Sequence, residues 1–131
     1  MKYLKRFNES INKLTTNVDV KPGEFYNEAD IYGYVQRIHM NYDDFIDGDI
    51  GDRIEEYENY KVEDVKISDI EIDEFSLDEG IVDEYKELFK ESNKYPPIVL
   101  DSEYGIIDGT HRVNALNDIG IEYVRAFVGQ D

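Results

Sequence analysis

The sequence has no cysteine, only 3 prolines in 131 residues, and no long apolar run. Without cysteine it can form neither a disulfide framework nor a thiolate metal site, and we expect a cytoplasmic protein. No segment approaches the roughly 20 apolar residues that a membrane-spanning helix needs. The basic start, residues 1–14, lacks the uninterrupted apolar region of a secretory signal. We therefore expect no membrane partner.

Basic residues are also scarce: 14 Lys and Arg stand against 31 Asp and Glu, which gives a formal net charge of −17. Residues 23–92 carry a net charge of −17, whereas residues 1–22 carry +3 and residues 93–131 carry −3. Such a field repels nucleic-acid phosphates, so we expect no direct binding of DNA, and a nuclease is the weakest hypothesis. The same charge either keeps the protein soluble or attracts a basic protein partner.

Length and periodicity predict one domain with an extension before it. Apolar residues at helical spacing predict helices over residues 31–38 and 50–57. Residues 1–60 are therefore assigned to a helical N-terminal extension that is acidic from residue 23 on, and residues 61–131 to the domain. Residues 15–23 are rich in turn-forming types and are predicted to be a linker.

The carboxylates between the two predicted helices do not form an EF-hand. With Gly48 as the loop glycine, Phe45 and Ile54 fall where oxygen ligands are required. An acidic turn that caps the second helix is the better interpretation. His39, near the end of the first helix, has no histidine or cysteine close to it in sequence and is interpreted as a structural histidine.

The second half of the chain alternates strand and helix patterns. Apolar residues separated by charged ones from Tyr60 onward are typical of strands, and residues 67–72 are predicted as one kinked strand or two short ones. Ser76 and Glu79 form a capping-box signature that begins a long amphipathic helix. A closing strand is predicted over residues 123–128. This order of elements predicts a small α+β domain.

Residues 95–120 contain the pattern with the most distinct chemistry. Two prolines introduce a short apolar strand, a turn follows, and a second strand leads into the run DGTHR at the start of another helix. The first turn of a helix presents backbone N–H groups without intrahelical acceptors, together with the positive end of the helix dipole. The pattern therefore predicts an anion site at this corner.

Each residue of this corner is given a role. Gly109, Thr110, His111 and Arg112 are predicted to bind phosphate, with Arg112 at a terminal phosphate and His111 at the transferred group as a catalytic residue. Asp108 is predicted to cap the helix or to orient His111. The alternative is a plain turn with His111 and Arg112 exposed on the surface.

The runs PPIV and IIDGTHR, the apolar helix after them and the helix before them resemble the core of the ParB/sulfiredoxin-like family. The resemblance extends over roughly residues 62–129. It implies a small mixed sheet with helices and a nucleotide phosphate at the glycine-histidine-arginine corner. The family includes sulfiredoxins, CTP-binding domains of chromosome-partition proteins, free-serine kinases and nuclease-like domains, so it indicates the fold better than the function.

The resemblance also implies a role for the loop after the first strand of the domain. In family members this segment contributes groups that hold magnesium or activate an incoming hydroxyl, and Asp73 and Glu74 stand at that place here. Both are therefore predicted as catalytic carboxylates and magnesium ligands. The alternative is a solvated acidic loop. The asparagine-proline-arginine-rich loop of the partition proteins is absent here, which argues against clamp-type CTP binding.

Thr110 stands where a sulfiredoxin requires cysteine, so cysteine-based reduction of a sulfinic acid is excluded. The resemblance then implies a nucleotide-dependent enzyme. It would bind ATP, ADP or a related nucleotide with magnesium, and either transfer a phosphoryl group to an unknown acceptor or hydrolyse the nucleotide. The alternative from another class is a non-catalytic acidic protein that docks on a basic, nucleic-acid-binding partner and blocks it.

Overall fold

A computed structural model describes the chain over residues 14–41, 50–72 and 77–131. Within these ranges the strands are β1 (Thr15–Thr16), β2 (Phe25–Asn27), β3 (Asn59–Lys66), β4 (Lys94–Tyr95), β5 (Ile98–Leu100), β6 (Ile106–Asp108) and β7 (Tyr123–Gln130). The α-helices there are α1 (Glu28–Asn41), α2 (Ile50–Ile54), α3 (Glu79–Ser92) and α4 (Thr110–Asp118), and Ile67–Asp69 is a 3₁₀ helix. None of the helices in these ranges has the length and apolar character needed to cross a membrane.

Five strands form one mixed sheet in the order β2-β3-β7-β5-β6. β3 and β7 are antiparallel along their whole length, from Asn59 opposite Gln130 to Lys66 opposite Tyr123. β5 lies parallel to β7 and is connected by a turn to the antiparallel β6. Since helices pack against this mixed sheet, the expected α+β class is confirmed.

Helices lie on both faces of the sheet, each over its own hydrophobic cluster. Alternate residues of a strand point to opposite faces, so β5 sends Ile98 and Leu100 to one cluster and Val99 to the other. The first cluster, under α3 and α4, also includes Val65, Val82, Tyr85, Phe89, Val113, Leu116 and Val124. The second cluster, under α1 and α2, also includes Ile31, Tyr34, Val35, Ile38, Ile54, Tyr60, Val62 and Phe127.

The described residues before residue 61 share this sheet and its core. β2 pairs with β3, and α1 packs on the second cluster. The predicted boundary between residues 60 and 61 falls inside β3. The predicted linker, residues 15–23, contains β1, which pairs in parallel with β4, and the buried Val20. It is therefore a structured segment, because its backbone and one of its side chains are held by the rest of the fold.

Three local predictions are corrected. Ile67–Asp69 is a 3₁₀ helix and not a strand. Lys66 pairs with Tyr123, the first residue of β7, so the residues after Lys66 have no antiparallel partner in that strand. α2 ends at Ile54, before the predicted residue 57. The N-cap of α3 is Asp78, whose carboxylate accepts hydrogen bonds from two backbone N–H groups of the first turn. The predicted cap, Ser76, lies outside the described residues.

Candidate phosphate-binding corner

The turn from β6 into α4 depends on Gly109. This residue has φ of 116°, in the left-handed region that favours glycine. A Cβ at this position would lie 2.6 Å from Cγ2 of Ile98, far closer than carbon atoms approach each other. Glycine therefore allows β6 to turn into α4 directly against β5.

The start of α4 differs from the other helix starts that the structure describes. Its N-cap residue, Gly109, provides no side-chain cap, and its first turn contains no acidic residue. α1, α2 and α3 each have an acidic residue in the first turn, and Asp78 caps α3 as well. Within the described ranges, the hydroxyl of Thr110 makes no hydrogen bond, and this side chain is partly exposed. The backbone N–H groups of this turn therefore remain suited to an anion.

Arg112 lies inside the protein, and its predicted role is corrected. Its side chain is 0% exposed, and it forms an ion pair with Oδ2 of Asp108. Its Nη1 donates to the carbonyl oxygens of Pro96 and Pro97 at 3.3 and 2.9 Å. With its guanidinium enclosed in this way, Arg112 holds the corner from within and does not present a donor to a terminal phosphate.

Asp108 is also turned into the protein. Its side chain is 3% exposed, and Oδ1 lies 2.9 Å from Nε2 of His39, at the end of α1. Burial alone raises the pKa of Asp108, but the charge of Arg112 and the hydrogen bond from His39 outweigh burial and hold that pKa below its ordinary value. The ionised carboxylate only accepts hydrogen bonds, so Nε2 of His39 is the donor.

The predicted capping role of Asp108 is therefore wrong. Gly109 occupies the N-cap position of α4 and provides no side-chain cap, while the Asp108 carboxylate bonds His39 and Arg112. Sequence reasoning identified Asp108 and Arg112 as residues of the corner but missed His39. His39 and Asp108 are 69 positions apart, and no local motif connects them.

His111 is held beside the start of α3. Its side chain is buried, and Nε2 accepts a hydrogen bond of 3.0 Å from the backbone N–H of Asp78. Because Nε2 accepts, the neutral imidazole carries its hydrogen on Nδ1. The contact also places Asp78, the N-cap of α3, next to the corner.

The predicted metal ligands Asp73 and Glu74 lie outside the described residues. Over residues 14–41, 50–72 and 77–131 no group of three or more His, Asp and Glu side chains is arranged to hold a metal ion. The role of Asp73 and Glu74 as catalytic carboxylates and magnesium ligands stays a prediction.

The N-terminal part of the chain contacts the strands around the corner at two further points. The hydroxyl of Tyr34, in α1, donates to the carbonyl oxygen of Pro97 at 2.6 Å. Arg53, in α2, donates from Nη1 to the carbonyl oxygen of Ile106 at 2.9 Å. With His39, three side chains from the α1 and α2 layer thus support β5, β6 and the turn after β6.

A cavity of about 320 Å³ lies elsewhere, between α1, β2 and β7. Its walls are mainly apolar and aromatic: Val18, Val20, Tyr26, Ile31, Tyr34 and Phe127, with Asp30 and Arg37 among the polar groups. An apolar lining does not suit a phosphate group, because a phosphate needs several hydrogen-bond donors. The start of α4 is therefore the better candidate for an anion site.

No family model and no curated protein matches the sequence. Among solved structures, a pNOB8-like ParB N-domain is similar over 53% of this chain and 28% of its own, with 21% identity and a TM-score of 0.45. A second structure of such a domain covers 53% of this chain and 27% of its own, with 20% identity and a TM-score of 0.44. Sulfiredoxin from Arabidopsis thaliana covers 53% of this chain and 85% of its own, with 18% identity and a TM-score of 0.47.

This chain spans less than a third of the ParB chains it matches. Both kinds of protein that the sequence resemblance named, ParB domains and sulfiredoxins, are present among these neighbours. The likeness concerns the fold of about half of the chain and carries no residue roles with it.

Proposed function

We propose that the protein binds the phosphate groups of a nucleotide at the start of α4. The ligands are the backbone N–H groups of Thr110 and His111 and the hydroxyl of Thr110. Gly109 allows the turn to pack directly against β5, and the Asp108–Arg112 pair holds the turn from within. The observation that carries the proposal is the uncapped, acid-free first turn of α4 in a chain of net charge −17.

The attraction for phosphate comes from the helix and not from a free basic side chain. Arg112 is neutralised by Asp108, so the positive potential of the corner arises from the first-turn N–H groups and the dipole of α4. Backbone donors of this kind are fixed by the fold, and they bind phosphate oxygens without a cost of ordering side chains.

An enzymatic reaction at this site extends the proposal. His111, whose Nε2 is held by the N–H of Asp78, is the residue proposed to act at the transferred phosphoryl group of ATP or ADP. Asp73 and Glu74, which lie outside the described residues, are the proposed carboxylates for magnesium and for activation of the acceptor.

A charge introduced at Thr110 tests the proposal directly. We would titrate ATP, ADP and pyrophosphate into the wild type, Thr110→Glu and Thr110→Gln by calorimetry. An acidic residue in the first turn favours the helix but repels phosphate, so Thr110→Glu should abolish binding without destabilising the fold. The glutamine of Thr110→Gln has nearly the same shape as glutamate but no charge. This variant should bind the three ligands within about tenfold of the wild-type affinity, a difference of about 1.4 kcal/mol. Absence of binding to the folded wild type, or unchanged binding to Thr110→Glu, would refute the proposal.

A second function, docking on a basic protein, is supported by the outer face of α3. Five acidic side chains are exposed on this helix: Glu79, Asp83, Glu84, Glu87 and Glu91. A basic surface would be attracted to this face with an affinity that falls as salt is added. Salt-sensitive binding of an oligolysine probe that is lost in Glu84→Lys/Glu87→Lys and retained in Thr110→Glu would favour this function.

A further inference from the structure

We infer that His39 is a positioning residue of the phosphate site, although α1 packs on the opposite face of the sheet from α4. The inference rests on the proposed function, since it names a residue that keeps the first turn of α4 in its binding geometry. The juxtaposition that carries it is the buried contact between His39 and Asp108, the residue before Gly109.

The first step is the enclosure of the contact. The side chains of His39 and Asp108 are each 3% exposed, and Nε2 lies 2.9 Å from Oδ1. At this depth, water does not readily replace a lost donor, so removal of the imidazole leaves Oδ1 short of a hydrogen bond. Rotation of the Asp108 carboxylate towards another donor then replaces the lost hydrogen bond and becomes favourable.

The second step leads from Asp108 to the strand before the corner. Oδ2 of Asp108 pairs with Arg112, whose Nη1 bonds the carbonyl oxygens of Pro96 and Pro97. The carbonyl oxygen of Pro97 also accepts the hydroxyl hydrogen of Tyr34. A rotation of Asp108 therefore disturbs Arg112 and the entry to β5 together.

The close packing of Gly109 on β5 leaves no room for its backbone to shift. Its Cα packs so closely on Ile98 that an added Cβ would lie 2.6 Å from Cγ2 of that residue. A shift of the Asp108 backbone cannot be absorbed there without moving the N–H groups of Thr110 and His111. Binding by fixed donors requires positions within about 0.5 Å, so a small shift lowers affinity.

The variants His39→Leu and His39→Gln separate a role of His39 in positioning the first turn of α4 from a contribution to the stability of the fold alone. Leucine fills a similar volume but has no donor, whereas the glutamine side-chain amide can place a donor near the former Nε2. Val35→Ala is the matched control, because Val35 is a buried residue of the same helix that belongs to the second hydrophobic cluster. All variants would be studied well below their unfolding temperatures.

Two readouts are needed, pyrophosphate affinity by calorimetry and the backbone N–H resonances of residues 109–111 in the ligand-free protein. We expect His39→Leu to weaken pyrophosphate binding at least tenfold and to shift these resonances. We expect His39→Gln and Val35→Ala to stay within threefold of the wild type. Wild-type affinity and unshifted resonances in His39→Leu would overturn the inference.

The outcome for His39 stays distinct from the outcome for the proposed function. If the wild type binds no pyrophosphate, the proposed function fails. The resonances of residues 109–111 then decide whether His39 positions the turn. Shifts in His39→Leu that are reversed in His39→Gln support positioning, and equal shifts in His39→Leu and Val35→Ala refute it, since a general loosening of α1 would produce them.

Discussion

The two faces of the sheet hold the same carboxylate in different ways. From the α4 side, Arg112 pairs with Oδ2 of Asp108 at a separation of four residues. From the α1 side, His39 bonds Oδ1 across 69 residues. The first contact follows from helical spacing, and the second exists only because α1 packs on the sheet. The corner is therefore built by local sequence on one side and by tertiary packing on the other.

The largest expected effect concerns the charge on the α4 side. Arg112→Leu leaves the carboxylate of Asp108 buried without its charged partner, so we expect a loss of about 3–5 kcal/mol in the free energy of unfolding. The control is Arg125→Leu, because Arg125 is partly exposed and pairs with the exposed Asp64. That pair should contribute at most about 1 kcal/mol. Urea unfolding followed by circular dichroism measures both, and equal losses would contradict the structural role of Arg112.

The turn at Gly109 is expected to come next. Gly109→Ala combines a positive φ with a contact to Ile98, so we expect a loss of about 2–4 kcal/mol in the free energy of unfolding. Gly120→Ala is the control, since Gly120 also has positive φ but an added Cβ meets nothing within 4 Å. It should cost only about 1–2 kcal/mol. A Gly109→Ala protein as stable as Gly120→Ala would mean that β5 does not confine the turn.

The ionised carboxylate of Asp108 predicts a dependence on pH. Its pKa is lowered in the fold, so its stabilising contribution is complete above the ordinary carboxyl pKa of about 4 and is lost as the pH falls through the lower folded value. The difference in unfolding free energy between the wild type and Asp108→Asn should therefore be present at about pH 5, where the carboxylate is ionised in both the folded and the unfolded state. It should shrink at lower pH. Chemical denaturation at stepped pH measures it, and a difference that grows on acidification would be inconsistent with a depressed pKa.

The smallest expected effect on the free energy of unfolding concerns Tyr34, a second contact from α1 to the strands around the corner. Tyr34→Phe removes the buried hydrogen bond to the carbonyl oxygen of Pro97, so we expect a loss of about 1 kcal/mol in unfolding free energy. Tyr32→Phe is the control, because Tyr32 lies on the same helix and is 44% exposed. Thermal unfolding should separate the two variants. If they are indistinguishable, α1 supports the corner through His39 without measurable help from Tyr34.

Much of the half after residue 61 could be predicted because its signals are local. The strand-turn-strand-helix order around the corner follows from apolar periodicity, prolines and Gly109, and the structure has these elements in that order. The early end of β3 could not be predicted from the same pattern. Whether residue 67 continues a strand depends on a partner in β7, more than 50 positions later.

The site was less predictable than the fold. The run DGTHR correctly indicated a glycine turn into a helix, but spacing alone could not show that Arg112 faces inward and His111 contacts Asp78. Both directions depend on what occupies the space beside the first turn. That space is bounded by β5 and by the start of α3, which come from separate parts of the chain.

By itself, the sequence determined the acidic character of the protein, the α+β order of its elements and the helix start at Thr110. These properties depend on composition and on neighbours a few residues apart. Only the tertiary structure decided that Arg112 is a core residue, that α1 and α2 pack on the second face of the sheet, and that His39 bonds Asp108. The physical reason is that burial and long-range pairing are properties of packed layers, and packing brings together residues that no local pattern connects.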